Sequence, residues 1–371
     1  MSAESPVSVV GGGSQPLAYA WGGPVGRGVT RQVPEDFLVQ EVLAFEPAQS
    51  GQHVLLFIQK REANTTWLAA KLARVAGVPS AAVGYAGRKD RHAVTEQWFS
   101  VDLAGRPAPD WHAALSTETE GCAQVLQVFQ HNRKLRVGAL RGNRFNLRIR
   151  DLAADGIALQ RRLEMISKEG FPNYFGPQRF GRDGSNLQQA RALTAQSRRP
   201  RRAGRGERTM ALSAARSEIF NAVLDARVRS GSWNQSQAGD ILQLAGRGSH
   251  FLFDSEQDGE ALARRTAAGE LNVTGPMWGA GEPPTDGAVK ELERAVAADY
   301  PELCALLAGE GMAHQRRALR VYPSDLKWQI VDSDEMNVSF FLPAGAYATS
   351  LLRELLDTGE PTLERGEAKG L

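Results

Sequence analysis

The sequence predicts a chain of two domains that mixes β-strands with α-helices, and three observations carry this expectation. At 371 residues the chain has about twice the length of a typical domain. Short strand-like runs interleave with amphipathic helical stretches up to about residue 170. The texture then becomes rich in glycine, aromatic residues and arginine, and strand-like material resumes near residue 319. The expected organisation opens with a flexible leader at 1–25, and the changes of texture mark candidate domain boundaries near residues 170 and 319.

The leader opens with small, polar and glycine-rich residues, without the basic segment and continuous apolar run of a signal peptide. "DFLVQEVLAFEP" and "HVLLFIQKRE" read as strands, being short, rich in branched apolar residues and bounded by turn formers. "TTWLAAKLARVAG" reads as a helix: Thr65 or Thr66 can cap it, Leu68, Leu72 and Val75 share a face, and Gly77 stops it. "AAVGYAG" can form a strand, and "FSVDL" alternates Phe99, Val101 and Leu103 with Ser100 and Asp102, the period of a half-buried strand. The stretch between them, containing "GRKDRH", is thus a connection between two paired strands, a favoured place for functional side chains. "NLRIRDL" gives a further strand, and "ALQRRLEMISKEG" a helix with Leu159, Leu163 and Ile166 on one face. After "NYFGPQRFGRDGSNL" the chain reads as mostly helical, including "SAARSEIFNAVLDARVRSG". "VYPSDLKWQ" and "MNVSFFL" return to strand, the latter alternating Val338, Phe340 and Leu342, before the helix "ATSLLRELLD".

A formal net charge of +2 leaves the distribution of charge to argue for any polyanionic partner. Arg133, Lys134, Arg136, Arg141, Arg144, Arg148 and Arg150 fall in "RKLRVGALRGNRFNLRIR", which contains no acid. "SRRPRRAGRGER" adds Arg198, Arg199, Arg201, Arg202, Arg205 and Arg208 against the lone Glu207. Two such runs flanking aromatics and glycines point to phosphate contacts. Asp90 is a single acid among Arg88, Lys89, Arg91 and His92. It reads either as part of a solvated turn or as a carboxylate whose charged form is favoured by nearby cations, suited to a nucleophile facing a polyanion.

Cys122 and Cys304 are the only cysteines, without a CxxC pair or a histidine cluster of zinc spacing, so neither a disulfide scaffold nor structural zinc is expected. No apolar stretch is long enough to span a bilayer, and a cytoplasmic, reduced protein is expected. The chain lacks a phosphate-binding loop of the GxxxxGK[ST] type, HExxH, GxSxG and a dinucleotide fingerprint. Ser249 beside His250 is adjacency, not a triad.

Taken together, "GYAGRKDRHAVTEQWFSV", "HNRKLRVGALRGNRFNL", "PNYFGPQRFGRDGSNL", "LSAARSEIFNAVL", "LQLAGRGSHF" and "FLPAGAYATSLLRELL" resemble, in order, the blocks of the TruD-type pseudouridine synthases. The resemblance runs from about Gly26 to Asp357. It implies an α+β fold: a discontinuous catalytic domain of 26–170 plus 319–371 around a mixed, mainly antiparallel sheet, with an inserted α/β TRUD domain at 171–318. It implies isomerisation of uridine 13 of tRNA to pseudouridine, without redox cofactor, metal or nucleotide. The implied partner is tRNA, with no DNA or membrane, and a monomer is expected; the alternative that the same basic runs leave open is a non-catalytic RNA-binding or RNA-chaperone protein.

Residue by residue, the family's nucleophilic aspartate falls on Asp90. Its substrate contacts fall on Phe37 in "PEDFLVQE", Asn143 in "RGNRFNL" and an aromatic in "GAYATS", here Tyr347, whose hydroxyl adds a polar group to a stacking face. Phe145 shares a strand face with Asn143 if the segment is extended, and Arg31 falls where the family has a basic residue that could pair with Asp90. Lys89 is a second candidate partner, although neighbouring side chains on extended backbone point to opposite faces. From the residues alone, Phe37 and Phe145 also read as core, Asn143 as a turn residue after Gly142, and Arg31 as a surface cation.

Overall fold

The computed structural model describes residues 16–116, 122–195, 205–254 and 259–359. The fold is α+β, and the chain forms two discontinuous units. One comprises Pro24–Leu163, Pro323–Gly345 and Leu356–Leu371, the other Met1–Gly23, Glu164–Tyr322 and Ala346–Leu355.

The first unit begins with strands β1 (Gly26–Thr30), β2 (Phe37–Leu43) and β3 (His53–Arg61), followed by helix α1 (Thr65–Val75) and strands β4 (Val83–Tyr85) and β5 (Val94–Asp102). Helix α2 (Trp111–Ser116) and strands β6 (Ala123–His131) and β7 (Leu140–Ala154) come next, and helix α3 (Gly156–Glu169) begins in the first unit and passes into the second at Glu164. The second unit takes β8 (Phe171–Pro172), α4 (Ser185–Ala195), α5 (Arg205–Arg229), β9 (Ile241–Leu244), β10 (His250–Leu252), α6 (Gly259–Ala267) and β11 (Leu271–Met277). It continues with α7 (Gly287–Ala298), α8 (Pro301–Gly309), β12 (Gln315–Ala318) and β13 (Arg320–Val321). The chain then returns β14 (Ser324–Asp332) and β15 (Glu335–Pro343) to the first unit, α9 (Ala348–Leu355) to the second and β16 (Asp357–Gly359) to the first.

The first unit is built on a ten-stranded sheet whose main path runs β14-β15-β7-β2-β5-β3-β6, with β1 on β7 and β16, and β4 on β5. Only the β1–β16 and β2–β5 pairs are parallel. Phe37, Val39 and Glu41 of β2 stand opposite Leu147, Phe145 and Asn143 of β7. Those three β7 residues stand in turn opposite Val338, Phe340 and Leu342 of β15. Residues opposite one another share a face, so this face is an apolar row interrupted by Glu41 and Asn143. At β3 and β5, α1 covers the same face, packing Leu68 and Leu72 on Leu56, Ile58 and Phe99. Leu55, Phe57, Trp98 and Leu135 form a separate cluster. β5 is therefore buried on both faces rather than half-buried: Ser100 is enclosed and its hydroxyl accepts the Leu135 N–H.

In the second unit, β10-β9-β11-β12 form an antiparallel sheet. The sequence read this stretch as mostly helical, because β9 and β10 are too short to show alternation and β11 contains a Gly-Pro pair that looks like a break. Helix α5 buries Ala211, Ala214, Ala215, Ile219, Phe220 and Leu224 in the core of this unit. Its buried Arg227 is held by Asp240 at 2.9 Å.

Two expected boundaries are corrected here. Residues 16–23 are not part of a loose leader, for Leu17, Ala18, Ala20 and Trp21 pack on the core of the second unit. Helix α9, placed by the sequence with the sheet domain, belongs to the second unit, where the Ser350 hydroxyl donates to the Tyr174 carbonyl and Arg353 donates to the carbonyls of Leu17 and Ala18.

Candidate active site

The turn at residues 86–93, joining β4 to β5, carries Asp90 and is fastened along its length. The Gly138 N–H donates to the Ala86 carbonyl, and the Gln97 amide to the Gly87 carbonyl at 2.7 Å. The Thr65 hydroxyl accepts the Lys89 N–H at 3.1 Å and donates to Gln97 at 3.0 Å. The Lys60 ammonium donates to the Asp90 carbonyl at 3.3 Å and to that of Ala63 at 2.7 Å, while Arg91 donates to the Glu62 carbonyl. Thr65 opens α1 and Gln97 sits in β5, so helix and sheet together set the turn.

The Asp90 side chain is 41% exposed and ion-paired through Oδ2 with Arg31 at 3.0 Å. Its Oδ1 makes no hydrogen bond among the described residues. Arg31 follows β1 at φ 61, a left-handed conformation that persists in a non-glycine residue only where its surroundings enforce it. Its guanidinium lies 3.8 Å from the centre of the Phe37 ring, a cation–π contact. Burial lowers the Arg31 pKa, and the Asp90 charge opposes that shift.

Phe37 is 3% exposed and meets Phe145 edge-on, with ring centroids 6.1 Å apart; Phe145 stacks on Phe340 at 5.3 Å. Asn143 faces Glu41 across the β2–β7 ladder, and among the described residues its buried Oδ1 has no hydrogen-bond partner. The preceding Gly142 lies so close to β15 that a Cβ there would overlap the Leu342 carbonyl and the Phe341 ring. The structure thus brings Asp90, Arg31, Phe37 and Phe145 into one chain of contacts, with Asn143 on the Phe37 and Phe145 face.

Lys89 does not partner Asp90. Its side chain instead pairs with the fully buried Glu41 carboxylate at 2.5 Å. Burial pushes the Glu41 carboxyl up and Lys89 draws it back; Glu41 also accepts the Trp98 N–H. Lys60 is 0% exposed. Burial lowers its ammonium to about 8, opposed first by the Asp90 charge. The sequence reading missed both Lys60 and Glu41, although each carried a signal. Each continues the apolar parity of its strand, Glu41 after Phe37 and Val39, and Lys60 after Leu56 and Ile58.

Tyr347 lies in the second unit, immediately before α9. Its ring meets Phe175 edge-on at 5.9 Å, and the Arg179 guanidinium lies 6.0 Å from its centroid. Phe175 is fixed by a reciprocal pair of hydrogen bonds between its backbone and Asn221 of α5, and is covered by the Arg317 guanidinium at 4.1 Å.

The acid-free basic run finds its acids on other elements: two strands and the turn before β2. Arg144 pairs with Asp325 and Arg148 with Glu335, and Arg150 grips the buried Asp36 at 2.9 Å. Arg133, Lys134, Arg136 and Arg141 are exposed. Arg198, Arg199, Arg201 and Arg202 lie outside the described residues, and Arg208 pairs with Glu310. A groove lined by Leu38, Asn146, Arg148, Trp328 and Asn337 contains none of the candidate residues. Among the described residues no group of three His, Cys, Asp or Glu side chains is placed to hold a metal ion, and no helix is long and apolar enough to cross a membrane.

On this mainly antiparallel sheet the accessible Asp90 carboxylate is guanidinium-paired beside an aromatic ring. The family model described as tRNA pseudouridine synthase D (TruD) matches residues 16–190 and 205–355, and the chain belongs to that family. A tRNA pseudouridine synthase D of Nitrosococcus oceani is 46% identical over 349 residues, covering 94% of this chain and 96% of that protein. One of Aeromonas salmonicida is 45% identical over 345 residues, covering 93% and 95%. The fold matches the crystal structure of a protein described as TruD from Methanosarcina mazei, with a TM-score of 0.67 at 20% identity over 91% of this chain and 95% of that one.

Proposed function

We propose that the protein converts uridine 13 of tRNA to pseudouridine with Asp90 as the reacting carboxylate. The observation that carries the proposal is the exposed Asp90 side chain, held by its backbone in a fastened turn and paired through one oxygen with Arg31. The other oxygen is left for chemistry. The reaction breaks the N1–C1′ bond, turns the uracil and joins C5 to C1′. The C5 proton leaves to solvent and N1 gains one, so the product is an isomer of the substrate. Asp90 acts at the ribose, by attack on C1′ or by removing a ribose proton.

Either route requires the base out of its stack, at a cost of a few kcal/mol that protein contacts offset. The unpartnered Oδ1 of Asn143 is an acceptor for a uracil or ribose donor. Phe37 and Phe145 form the apolar wall beside it, and Arg31 orients Asp90 from above the Phe37 ring. Within the second unit, Tyr347 with Phe175 is a further candidate stacking surface for a base. The exposed cations Arg133, Lys134, Arg136 and Arg141 meet the phosphates, as do the arginines at 198–202.

The test is release of tritium from a tRNA transcript labelled at C5 of uridine, in chelator and without added nucleotide. Release from the parent transcript and none from one with cytidine at position 13 is the expected result. Equal release from both sinks the position; no release from either sinks the activity.

A further inference from the structure

We propose that Lys60 is a positioning residue for this reaction: it holds the main chain of Asp90 and sets a buried positive charge beside it, and the enzyme works at full rate only while that charge is present. The proposal rests on the assignment of Asp90 made above.

β3 sends Val54, Leu56 and Ile58 into the core beneath α1, and the next position of that parity is Lys60, which is 0% exposed. An apolar side chain would continue the row at no electrostatic cost, whereas an enclosed ammonium costs several kcal/mol unless its donors are satisfied. The Lys60 donors are spent on two carbonyls, Ala63 at 2.7 Å in the β3–α1 turn and Asp90 at 3.3 Å in the β4–β5 turn. One ammonium therefore ties together the two turns that frame the candidate carboxylate.

The charged groups that face Lys60 are Asp90 and Lys89 from the 86–93 turn and Glu41 from β2. Glu41 is already engaged by Lys89 at 2.5 Å, and Asp90 by Arg31 at 3.0 Å. The flanking strands place neutral residues opposite Lys60: Thr95 on β5 and Ala123 on β6. A residue needed only to fill this space could be methionine, of similar length and without charge. What lysine adds is the bond to the Asp90 carbonyl and a positive charge next to a carboxylate. Burial has brought that ammonium down to about 8, so the charge is lost in a range where kinetics are measurable.

Single-turnover rate, tRNA affinity and melting temperature are to be measured for wild type, Lys60→Met and Lys60→Arg from about pH 6.5 to about pH 9.5. For Lys60→Met the expected result is unchanged affinity with a rate at pH 7 lowered at least about ten-fold. The wild-type rate should fall along an alkaline limb centred near 8, and this limb should be missing from Lys60→Met and displaced upward in Lys60→Arg. A folded Lys60→Met that keeps its rate within about three-fold overturns the proposal. A wild-type rate that is flat through the alkaline range overturns it as well, and this arm needs no variant to fold. An Asp90→Asn protein that still turns over sinks the underlying assignment; an inactive Asp90→Asn beside an unimpaired Lys60→Met sinks this proposal alone.

Discussion

Asp90→Asn separates the charge of the candidate carboxylate from its place in the fold. Asparagine has nearly the same volume, and the main-chain bond from Lys60 to the carbonyl of residue 90 is independent of the side chain. The substitution removes the ion pair with Arg31, whose partners are 23% and 41% exposed at 3.0 Å. Pairs this exposed are screened by solvent and contribute about 1 kcal/mol or less. Arg31 keeps its place over the Phe37 ring at 3.8 Å, so the melting temperature should fall by no more than about 4 °C. Affinity for tRNA should be equal or higher, because a negative charge facing phosphates is gone and Arg31 is released to an anion. The single-turnover rate should fall by on the order of 10³-fold or more, as it does when a reacting group is removed outright. Melting temperature, affinity and rate are read on one preparation. A rate within about ten-fold of the parent, or about 1.4 kcal/mol, removes Asp90 from the mechanism, however the other two measurements come out.

Phe37→Ala should lose about 3 kcal/mol or more in a denaturant titration, because the ring is 3% exposed and packed on Phe145; unchanged stability would mean that the ring is not part of the sheet core. Tyr347→Phe should be nearly silent in single-turnover rate while Tyr347→Ala slows it by an amount equivalent to about 1–3 kcal/mol, and a large loss in the Phe variant would assign work to the hydroxyl. Affinity for tRNA should fall steeply with salt, and replacing the exposed Arg133, Arg136 and Arg141 by Ala should reduce the log–log slope by about one per cation. Arg150→Ala, which breaks the pair with buried Asp36, should lower stability and leave the slope unchanged; a flatter slope there would place Arg150 on the RNA. For Lys60 the folded value of about 8 lies below the ordinary 10.5, so its contribution to stability is complete above the ordinary value and is lost as pH falls through 8. The stability gap between wild type and Lys60→Met should therefore move in favour of the variant over that interval, by on the order of 3 kcal/mol, and a gap independent of pH would refute the burial argument.

Much of the candidate site was legible because its motifs are local. Asp90 stood out as one acid in a basic turn, and the alternation of β15 and the apolar face of α1 were readable from neighbouring residues. The pairing of Arg31 with Asp90 was open on residues alone, since the two are far apart in sequence and only the sheet fixes their separation. Lys89 illustrates the limit from the other side: its sequence neighbour is Asp90, yet its partner is Glu41 on another strand.

What the sequence by itself determined was the periodicity of its longer elements and the candidacy of Asp90, because hydrophobic alternation and a lone acid among cations are properties of contiguous residues. What only the tertiary structure decided was which charges are spent internally. Arg144, Arg148 and Arg150 form a basic run in one dimension and meet Asp325, Glu335 and Asp36 in three. Lys60 and Glu41 are ordinary charges in one dimension and enclosed ones in three. The physical reason is common to both cases: a strand's side chains are partnered by whatever the adjacent strand or turn places opposite, and burial, which sets the energy of a charge, is a property of that assembled neighbourhood.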